Sequence, residues 1–553
     1  PAGDRAADRA IRGAVDARRG ELMAAPAAAP PVRDDERARR VRPPAWLALA
    51  AVAVAAVVCL PVGYLALLAS QDLGRTLDDL MQWRTVALAA RSLGLTAAVT
   101  AASVGLAVPL AWLTVRTDLP GRRVWTVLTA LPLVLPSYIA AALAVSLLGP
   151  SGELQEVVGV ERLPSIYGFP GAFAVLTLVS YPLVLLTVRS ALARLDPALE
   201  DAARAMGRSP WAVFRTVVAP QLGPAVGAGA LLVALYALSD FGAVSLMRFD
   251  SFTRVIYTEY RTSFDRVGAA SLATLLVALA LVLLWLEGRT RRRMTYWRGG
   301  PGAGRPAPVT ALGRWRWPAL GYCAGVVAIA LVLPVGGLVY WTARSLAGAV
   351  DWGALAGAAL DSLVAAGLAA AVAAACALPV ALLAARYDGR VARGVERAAW
   401  VGHALPGIVV ALALVFFGTR VAAPLYQTLA MLVVALVVLF LPLALGASRA
   451  AILQVSPRVE EAARGMGRST LAVTATITAP LARGGVLAGA ALVFLTAIKE
   501  LPATLLLAPI GFETLAVATW RATSIGSYER GAVPALVLLA VSAPPLWLLT
   551  RRS

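Results

Sequence analysis

The chain has 553 residues, of which 59% are hydrophobic and only 15% are charged, and its mean hydropathy is +0.75. Soluble domains carry charge on about a quarter of their residues, so this composition excludes an ordinary soluble domain and predicts a membrane protein. The net charge of +19 could by itself indicate a nucleic-acid partner. However, the arginines stand at the ends of apolar stretches, and Lys499 is the single lysine. This is the positive-inside pattern of membrane proteins.

Residues 1–44 are rich in Ala, Pro, Arg and Asp and have no apolar period, so they are expected to form a disordered cytoplasmic tail. The apolar run that begins at Trp46 is too long for the core of a signal peptide. We therefore expect it to remain in the protein as the first membrane anchor.

Uncharged stretches of about 20 residues, enough to cross a ~30 Å hydrocarbon layer as a helix, recur along the chain. Backbone groups in lipid must be satisfied within their own segment, so the predicted fold class is all-α. The length rule indicates about twelve spans in a polytopic membrane protein. They are residues 46–70, 92–115, 124–152, 171–188, 216–239, 269–286, 317–343, 362–385, 400–419, 420–449, 484–498 and 531–550.

The sixth and seventh spans are separated by an arginine-rich segment with a Gly/Pro-rich centre, predicted as a cytoplasmic linker over residues 288–316. It divides the chain into a first membrane domain, 45–287, and a second, 317–553. An even number of spans returns each half to the same side, so the halves are predicted to be parallel six-helix repeats. The acidic loop at residues 150–170 then lies outside, and both chain ends lie in the cytoplasm.

One charged segment occurs twice in this hydrophobic chain. Residues 200–220 read EDAARAMGRSPWAVFRTVVAP and residues 460–480 read EEAARGMGRSTLAVTATITAP, with thirteen of twenty-one positions identical. The duplication extends further along both halves. The other matching positions are Ser92 and Ser362, Arg116-Thr117-Asp118 and Arg386-Tyr387-Asp388, Leu135-Pro136 and Leu405-Pro406, and the segments 263–266 and 527–530.

The first copy predicts two short helices joined by a bend. Residues 200–206 favour a helix with acids in its first turn, and Gly207 is suited to the left-handed conformation that ends it. Ser209 is a natural N-cap and Pro210 a natural first helical residue, so a second helix is expected to run to about Pro220.

The second copy repeats the stop at Gly467 and the cap at Ser469. In both copies the adjacent alanines are expected to allow close approach of another surface, and the acids and arginines to pair across it. The alternative is an amphipathic helix on the membrane surface, which would not require glycine at the same place twice.

The pattern Glu-Ala-Ala, three residues, Gly and a later Pro resembles the EAA loop of bacterial ABC importer permeases, which docks into a groove on a cytoplasmic ATPase subunit. The resemblance extends over residues 45–550. The first copy has Asp201 where the motif has Glu, and Glu200 beside it leaves the register of the acid open. The implied ATPase-coupling residues are Glu200, Asp201, Ala202, Ala203 and Gly207 in the first copy and Glu460, Glu461, Ala462, Ala463 and Gly467 in the second.

Residues 238–243, leading into 248–260, and residues 499–507 are similar to segments of fused two-half permeases for ferric iron import. The resemblance implies a bacterial inner-membrane permease that receives iron from an extracellular binding protein and is driven by a separate ATPase dimer. Thiamine permeases share the fused layout, so thiamine or another small solute is the alternative cargo.

The chain lacks a nucleotide-binding P-loop, because that motif requires Gly-Lys followed by Ser or Thr and the single lysine is followed by Glu500. A transport permease without ATPase activity, rather than an enzyme, is therefore expected. An ion-coupled secondary transporter is the alternative from another class, since it also uses two parallel halves. It would not require twin docking loops.

Asp240 and Glu500 occupy equivalent positions in the two repeats, and Lys499 adjoins the second. Ionisable residues within spans are costly and mark candidate functional sites, so these three are candidates for a cation pathway or its outer mouth. The alternative is that Lys499 and Glu500 neutralise partners and brace a helix break at Pro502.

No cofactor or resident metal is expected. His403 is the only histidine and has no Cys, Asp or Glu neighbours, so a packed core residue is favoured over a metal ligand. Cys59, Cys323 and Cys376 lack paired spacing and indicate neither a disulfide framework nor a zinc site. Residues 257–261 are a candidate surface for the binding protein or, alternatively, part of an interfacial aromatic belt.

Overall fold

The structure is a computed structural model that describes residues 43–551, except residues 72, 151, 154, 156–158, 160–163, 196, 263–265, 294–308 and 349. The predicted tail, up to residue 42, and the centre of the predicted linker lie outside the described residues. Within the described part every regular element is a helix, and the only β contact is an isolated bridge between Thr117 and Thr310. The predicted all-α class is confirmed.

The helices of the first half follow the predicted apolar stretches. In chain order they are α1 (Ala45–Gln71), α2 (Leu73–Met81), α3 (Trp83–Arg116), α4 (Arg122–Leu128), α5 (Ser137–Leu148), α6 (Phe169–Arg194), α7 (Pro197–Ala205), α8 (Pro210–Val213), α9 (Ala219–Ser239), α10 (Gly242–Leu246), α11 (Phe252–Arg261) and α12 (Arg266–Arg293).

The second half repeats this order. Its helices are α13 (Arg316–Val327), α14 (Leu333–Leu346), α15 (Trp352–Arg386), α16 (Arg390–Val401), α17 (Gly407–Arg420), α18 (Leu429–Gln454), α19 (Pro457–Gly465), α20 (Thr470–Val473), α21 (Ala479–Ala497), α22 (Pro502–Leu507), α23 (Leu515–Ser524) and α24 (Tyr528–Arg551).

Nine helices within the described residues are long and apolar enough to cross a membrane, and the number is 11 if two bent helix pairs each count as one span. The last predicted stretch, 531–550, falls within α24. The polytopic architecture is therefore confirmed. Each predicted stretch overlaps a helix or a bent pair, but the stretch 420–449 is continuous helix only from Leu429, where α18 begins.

Two predicted spans, 124–152 and 400–419, are not straight helices. The first is bent by 93° and the second by 108°, and the breaks fall at Leu135-Pro136 and Leu405-Pro406. Proline lacks the amide hydrogen that a helix needs and pushes the residue before it into extended backbone, here with ψ of 121° at Leu135 and 124° at Leu405. The same dipeptide thus breaks both repeats at the same place.

The first helix of the chain packs on the other half of the molecule. Leu47, Ala51 and Ala55 of α1 lie in one buried cluster with Ala373 and Ala377 of α15. Small side chains on α15 allow close approach, and packing of this kind holds helices together in lipid.

The first helix of the second half likewise packs on the first half. Cys323 and Val326 of α13 share a buried cluster with Val99 and Ala107 of α3, and the Tyr322 hydroxyl donates to the Leu106 carbonyl at 3.0 Å. The first helix of each half therefore packs on the other half. Residues 45–287 and 317–553 are sequence repeats, but they are not separately packed units.

Helical structure continues into the predicted linker, because α12 ends at Arg293 whereas the linker was predicted to begin at residue 288. On its far side, the Thr310 amide donates to the Arg116 carbonyl at 2.8 Å, and the Asp118 carboxylate accepts from the Leu312 amide at 2.8 Å. The end of the linker is thereby attached to the exit of α3.

Glycine allows two helix backbones to touch in the second half. A Cβ added at Gly489 of α21 would lie 2.9 Å from the Cα of Ala444 in α18. We expect Gly489→Ala to lower the thermal unfolding temperature in detergent, since overpacking a tight contact costs roughly 1–3 kcal/mol. Gly484→Ala is the matched control because a Cβ there meets no atom within 4 Å. Equal unfolding temperatures for the two variants would contradict this close packing.

Candidate functional site

The repeated segment forms the predicted bend in both copies. Gly207 and Gly467 have φ of 79° and 83°, in the left-handed region. The amide of Gly207 donates to the Arg204 carbonyl and that of Gly467 to the Arg464 carbonyl, both at 2.9 Å. An added Cβ at either glycine would meet no atom within 4 Å, so the backbone conformation rather than lack of space requires glycine.

The predicted caps are also present. The Ser209 hydroxyl oxygen accepts from the Ala212 amide at 3.3 Å, and the Ser469 oxygen accepts from the Ala472 amide at 3.2 Å. In the first copy, α8 begins at Pro210 as predicted.

The second short helix does not end near Pro220. A π-helical turn, Phe214–Val218, joins α8 to α9, so the segment continues as one span from Trp211 to Ser239. In this turn the Ala219 amide bonds to the Phe214 carbonyl, which accommodates a proline that cannot make the α-helical bond. The π-helical turn Thr474–Thr478 precedes Pro480 in the same way. Each loop is therefore a direct extension of a transmembrane helix.

Each loop has an exposed face. Asp201 and Ala202, and their counterparts Glu461 and Ala462, are exposed. Beside them are large exposed apolar side chains, namely Met206 (71% exposed) and Trp211 (69%) in the first loop and Met466 (76%) and Leu471 (57%) in the second. The second alanine of each pair, Ala203 or Ala463, is buried. Only the first alanine of each pair is therefore accessible to an outside partner, because the helix turns the second one inward.

Glu200 and Glu460 face inward and are buried. Glu200 pairs with Arg116 at 3.0 Å, and Glu460 pairs with Arg386 at 2.9 Å. These acids are therefore not available to an outside partner, contrary to the expected pairing across an interface. The acid that faces outward is Asp201 in the first copy and Glu461 in the second.

Sequence reasoning paired Arg116 with Arg386 as repeated span exits but assigned them no role. The available signal was that each is the charged residue that ends a long apolar stretch, at the same position in both repeats. Its acidic partner lies more than 70 positions away in the chain, and only the fold brings the two together.

Asp240 follows the end of α9 and has both carboxylate oxygens engaged. One oxygen accepts from the Ser137 hydroxyl, and the other accepts from the amides of Ala243 at 2.9 Å and Val244 at 3.3 Å. Asp240 thus joins the break before α5 to the start of α10, and its side chain is buried.

Glu500 has the equivalent place after α21. Its Oε1 accepts from the Ala503 amide at 3.3 Å, and a side chain at Gly407, the counterpart of Ser137, would collide with that oxygen. Within the described residues, Oε2 of Glu500 has no hydrogen bond, and the residue is partly exposed. Lys499 is also partly buried. The contact with Ala503 is the kind expected of a residue that braces the break at Pro502.

The short helices after these acids are fixed by a repeated serine. The Ser92 oxygen accepts from the Phe252 amide at 3.1 Å, and the Ser362 oxygen accepts from the Leu515 amide at 2.8 Å. Sequence comparison of the halves had paired the serines without a function. They position α11 and α23 against the long helices α3 and α15.

The aromatic part of residues 257–261 is directed inward. The Tyr257 ring centroid lies 5.0 Å from that of Phe241, and the Tyr260 centroid lies 6.0 Å from that of Phe416. Glu259 pairs with Arg84 at 2.6 Å. These contacts leave Thr258 and Arg261 as the exposed residues of the candidate docking surface.

His403 lies in the turn Gly402–Ala404, and its ring centroid is 6.3 Å from that of Trp400. Over the described part of the chain, no group of three or more His, Cys, Asp or Glu residues could hold a metal ion.

The fold and the twin loops define a polytopic membrane permease built from two homologous halves. The chain belongs to the family of binding-protein-dependent transport system inner membrane components, whose sequence profile matches residues 103–296 and again residues 377–551. The protein is therefore a fused two-half permease of an ABC importer and a multi-pass inner-membrane protein, as the sequence predicted. The two profile matches also confirm the internal duplication.

The chain is also similar in sequence to individual transport permeases. The Fe(3+)-transport system permease protein FbpB 2 of Haemophilus influenzae is 34% identical over 514 residues, which are 92% of this chain and 99% of that protein. The molybdenum transport system permease protein ModB of Escherichia coli (strain K12) is 32% identical over 38% of this chain and 96% of its own length. The sulfate transport system permease protein CysT of the same strain is 30% identical over 34% of this chain and 70% of its own length.

Proposed function

We propose that this permease carries ferric iron across the inner membrane. The observation that supports this cargo is the similarity to a ferric iron permease along 92% of this chain and 99% of the relative. The molybdenum and sulfate relatives align with only 38% and 34% of the chain. An extracellular binding protein delivers the iron in this proposal, because the family to which the chain belongs is the membrane component of binding-protein-dependent transport systems.

The driving force in this proposal is a separate ATPase with one subunit on each repeated loop. Each loop offers the same elements at a fixed bend: an exposed acid, an exposed alanine and an exposed methionine. Aromatic and methionine side chains are enriched at protein interfaces, and a few buried anchors there contribute most of the binding energy. The loops, the linker and both chain ends then lie in the cytoplasm, in agreement with the distribution of arginine.

The transport cycle follows from the connection between the loops and the spans. Closure of the ATPase pair on ATP draws the two loops together, and the halves rock from an inward-open to an outward-open state. Because α1 packs on the second half and α13 packs on the first half, movement of either half also displaces the first helix of the other. Iron enters from the binding protein and leaves to the cytoplasm when the ATPase pair reopens.

The two equivalent acids are expected to differ in their effect on uptake. Glu500→Gln keeps an acceptor for the Ala503 amide but removes the charge of the partly exposed carboxylate. We expect it to lower iron uptake about tenfold, since the loss of roughly 1.4 kcal/mol of attraction between this carboxylate and a passing cation is a factor of ten. Asp240→Asn is expected to leave uptake within about threefold, because contacts with Ser137, Ala243 and Val244 occupy the Asp240 carboxylate. Unchanged uptake for Glu500→Gln would remove this acid from the cation path.

The proposed function is tested by uptake of radiolabelled ferric iron into vesicles that hold the permease, its ATPase and its binding protein. Thiamine, sulfate and molybdate are the competing cargoes. Uptake of iron that needs ATP supports the proposal, and uptake of another cargo alone overturns the substrate. A proton-motive uncoupler added with ATP retained distinguishes a secondary transporter, whose uptake would cease.

A further inference from the structure

We propose that Arg116 and Arg386 are positioning residues that transmit movement of the docking loops to the transmembrane helices, and that the joint at Arg386 is the stiffer of the two. This inference rests on the proposed function of the loops. The joints are defined as the buried pairs Arg116–Glu200 and Arg386–Glu460.

The second joint gathers several elements around one side chain. Arg386 is the last residue of α15, and its Nε lies 3.1 Å from both carboxylate oxygens of Glu460 in α19. Its Nη2 donates to the same carboxylate at 2.9 Å and to the carbonyls of Ile452 at 2.9 Å and Val455 at 2.8 Å, at the end of α18. The Thr478 hydroxyl, from the π-helical turn before α21, donates to Glu460 at 3.0 Å.

These bonds connect the docking loop to three transmembrane helices. The side chains of Arg386 and Glu460 are 12% and 7% exposed, so solvent and salt screen their attraction only slightly. A forked guanidinium–carboxylate contact also fixes orientation as well as distance. A displacement of α19 therefore carries the ends of α15 and α18 and the base of α21 with it.

The first joint has the same charges but fewer bonds. Arg116 and Glu200 lie 3.0 Å apart with side chains 1% and 4% exposed. Among the described residues, none of the Arg116 guanidinium nitrogens has a hydrogen-bond partner, so the pair is held by charge without hydrogen-bond geometry. Val218 stands where the second half has Thr478, and a valine cannot donate a hydrogen bond. The two halves are therefore expected to respond unequally to the ATPase.

Two adjacent acids in each loop have different proposed roles: the exposed acid contacts the ATPase, and the buried acid transmits movement to the transmembrane helices. In each copy two acids are adjacent, and α7 or α19 turns the first toward the arginine and the second outward. A purely stabilising ion pair would not have to lie next to the exposed acid. This adjacency lets one helical turn receive the force from the partner and transfer it to the spans.

The test uses Glu460→Gln, which keeps the side-chain size and removes the charge, in the complete transporter with its ATPase and binding protein. We expect the ATPase to co-purify and ATP hydrolysis to continue, while iron transported per ATP hydrolysed falls about tenfold, within the usual range of coupling between sites. Glu200→Gln is expected to cause a smaller fall, about threefold, because fewer bonds depend on it. Arg386→Lys, which keeps the charge without the fork, should fall between wild type and Glu460→Gln.

The exchange variant Arg386→Glu with Glu460→Arg separates transmission from folding, because it restores the pair in the opposite order. Recovery of transport per ATP above either single charge reversal supports the joint. The inference is overturned if Glu460→Gln couples like wild type, or if its loss of uptake merely equals the loss of folded, ATPase-bound protein. Absence of ATP-driven uptake in the wild type would instead refute the proposed function.

Discussion

Replacement of both Gly207 and Gly467 by proline is expected to abolish ATP-driven uptake while the protein still inserts in the membrane. Proline fixes φ near −65°, whereas these positions have φ of 79° and 83°. It also removes the amides that donate to Arg204 and Arg464 at 2.9 Å. The bend that presents the exposed face would be lost in both loops. Uptake into vesicles and co-purification of the ATPase are the two measurements.

Gly465→Ala is the matched control for this experiment. Gly465 lies in α19, a Cβ there meets no atom within 4 Å, and the first copy already has Ala205 at the equivalent position. Wild-type uptake is therefore expected. Gly467→Ala should give an intermediate loss, because a left-handed alanine costs about 1–2 kcal/mol. If the double proline variant transports normally, the loops do not couple the permease to the ATPase.

Met206→Asp combined with Met466→Asp is expected to eliminate co-purification of the ATPase. The two side chains are 71% and 76% exposed beside the bends, so they are available as apolar anchors for a partner surface. Removing an anchor of this kind typically costs ~2 kcal/mol or more in binding, which at two sites is at least about a thousandfold. Because neither residue is in the buried core, thermal unfolding should change little.

Met81→Asp is the control for the methionine variants. Met81 is 81% exposed at the end of α2, after the first span, and therefore on the opposite side of the membrane in the proposed orientation. The ATPase should co-purify with this variant as with wild type. Retention of the ATPase by the double methionine variant would place the docking surface elsewhere.

The local features of the loops could be predicted from sequence because they depend on neighbouring residues. Left-handed backbone at Gly207 and the cap by Ser209 follow from the conformational freedom of glycine and the short reach of a serine hydroxyl. The turn that replaces the expected end at Pro220 was missed, because proline is compatible with either a helix start or a π-helical turn. The breaks at Pro136 and Pro406 were missed for a related reason. Hydropathy alone does not register them.

The sequence by itself determined the all-α class, the membrane location, the duplication and the two loops, because apolar length, arginine placement and repeated residues are properties of the chain alone. Only the tertiary structure decided on which half α1 and α13 pack, which acid of each pair faces inward, and with which arginine that acid forms an ion pair. These depend on contacts between residues far apart in the chain, such as Arg386 and Glu460. In an apolar chain, many helix pairings satisfy the same pattern, and shape complementarity and buried charge select one of them.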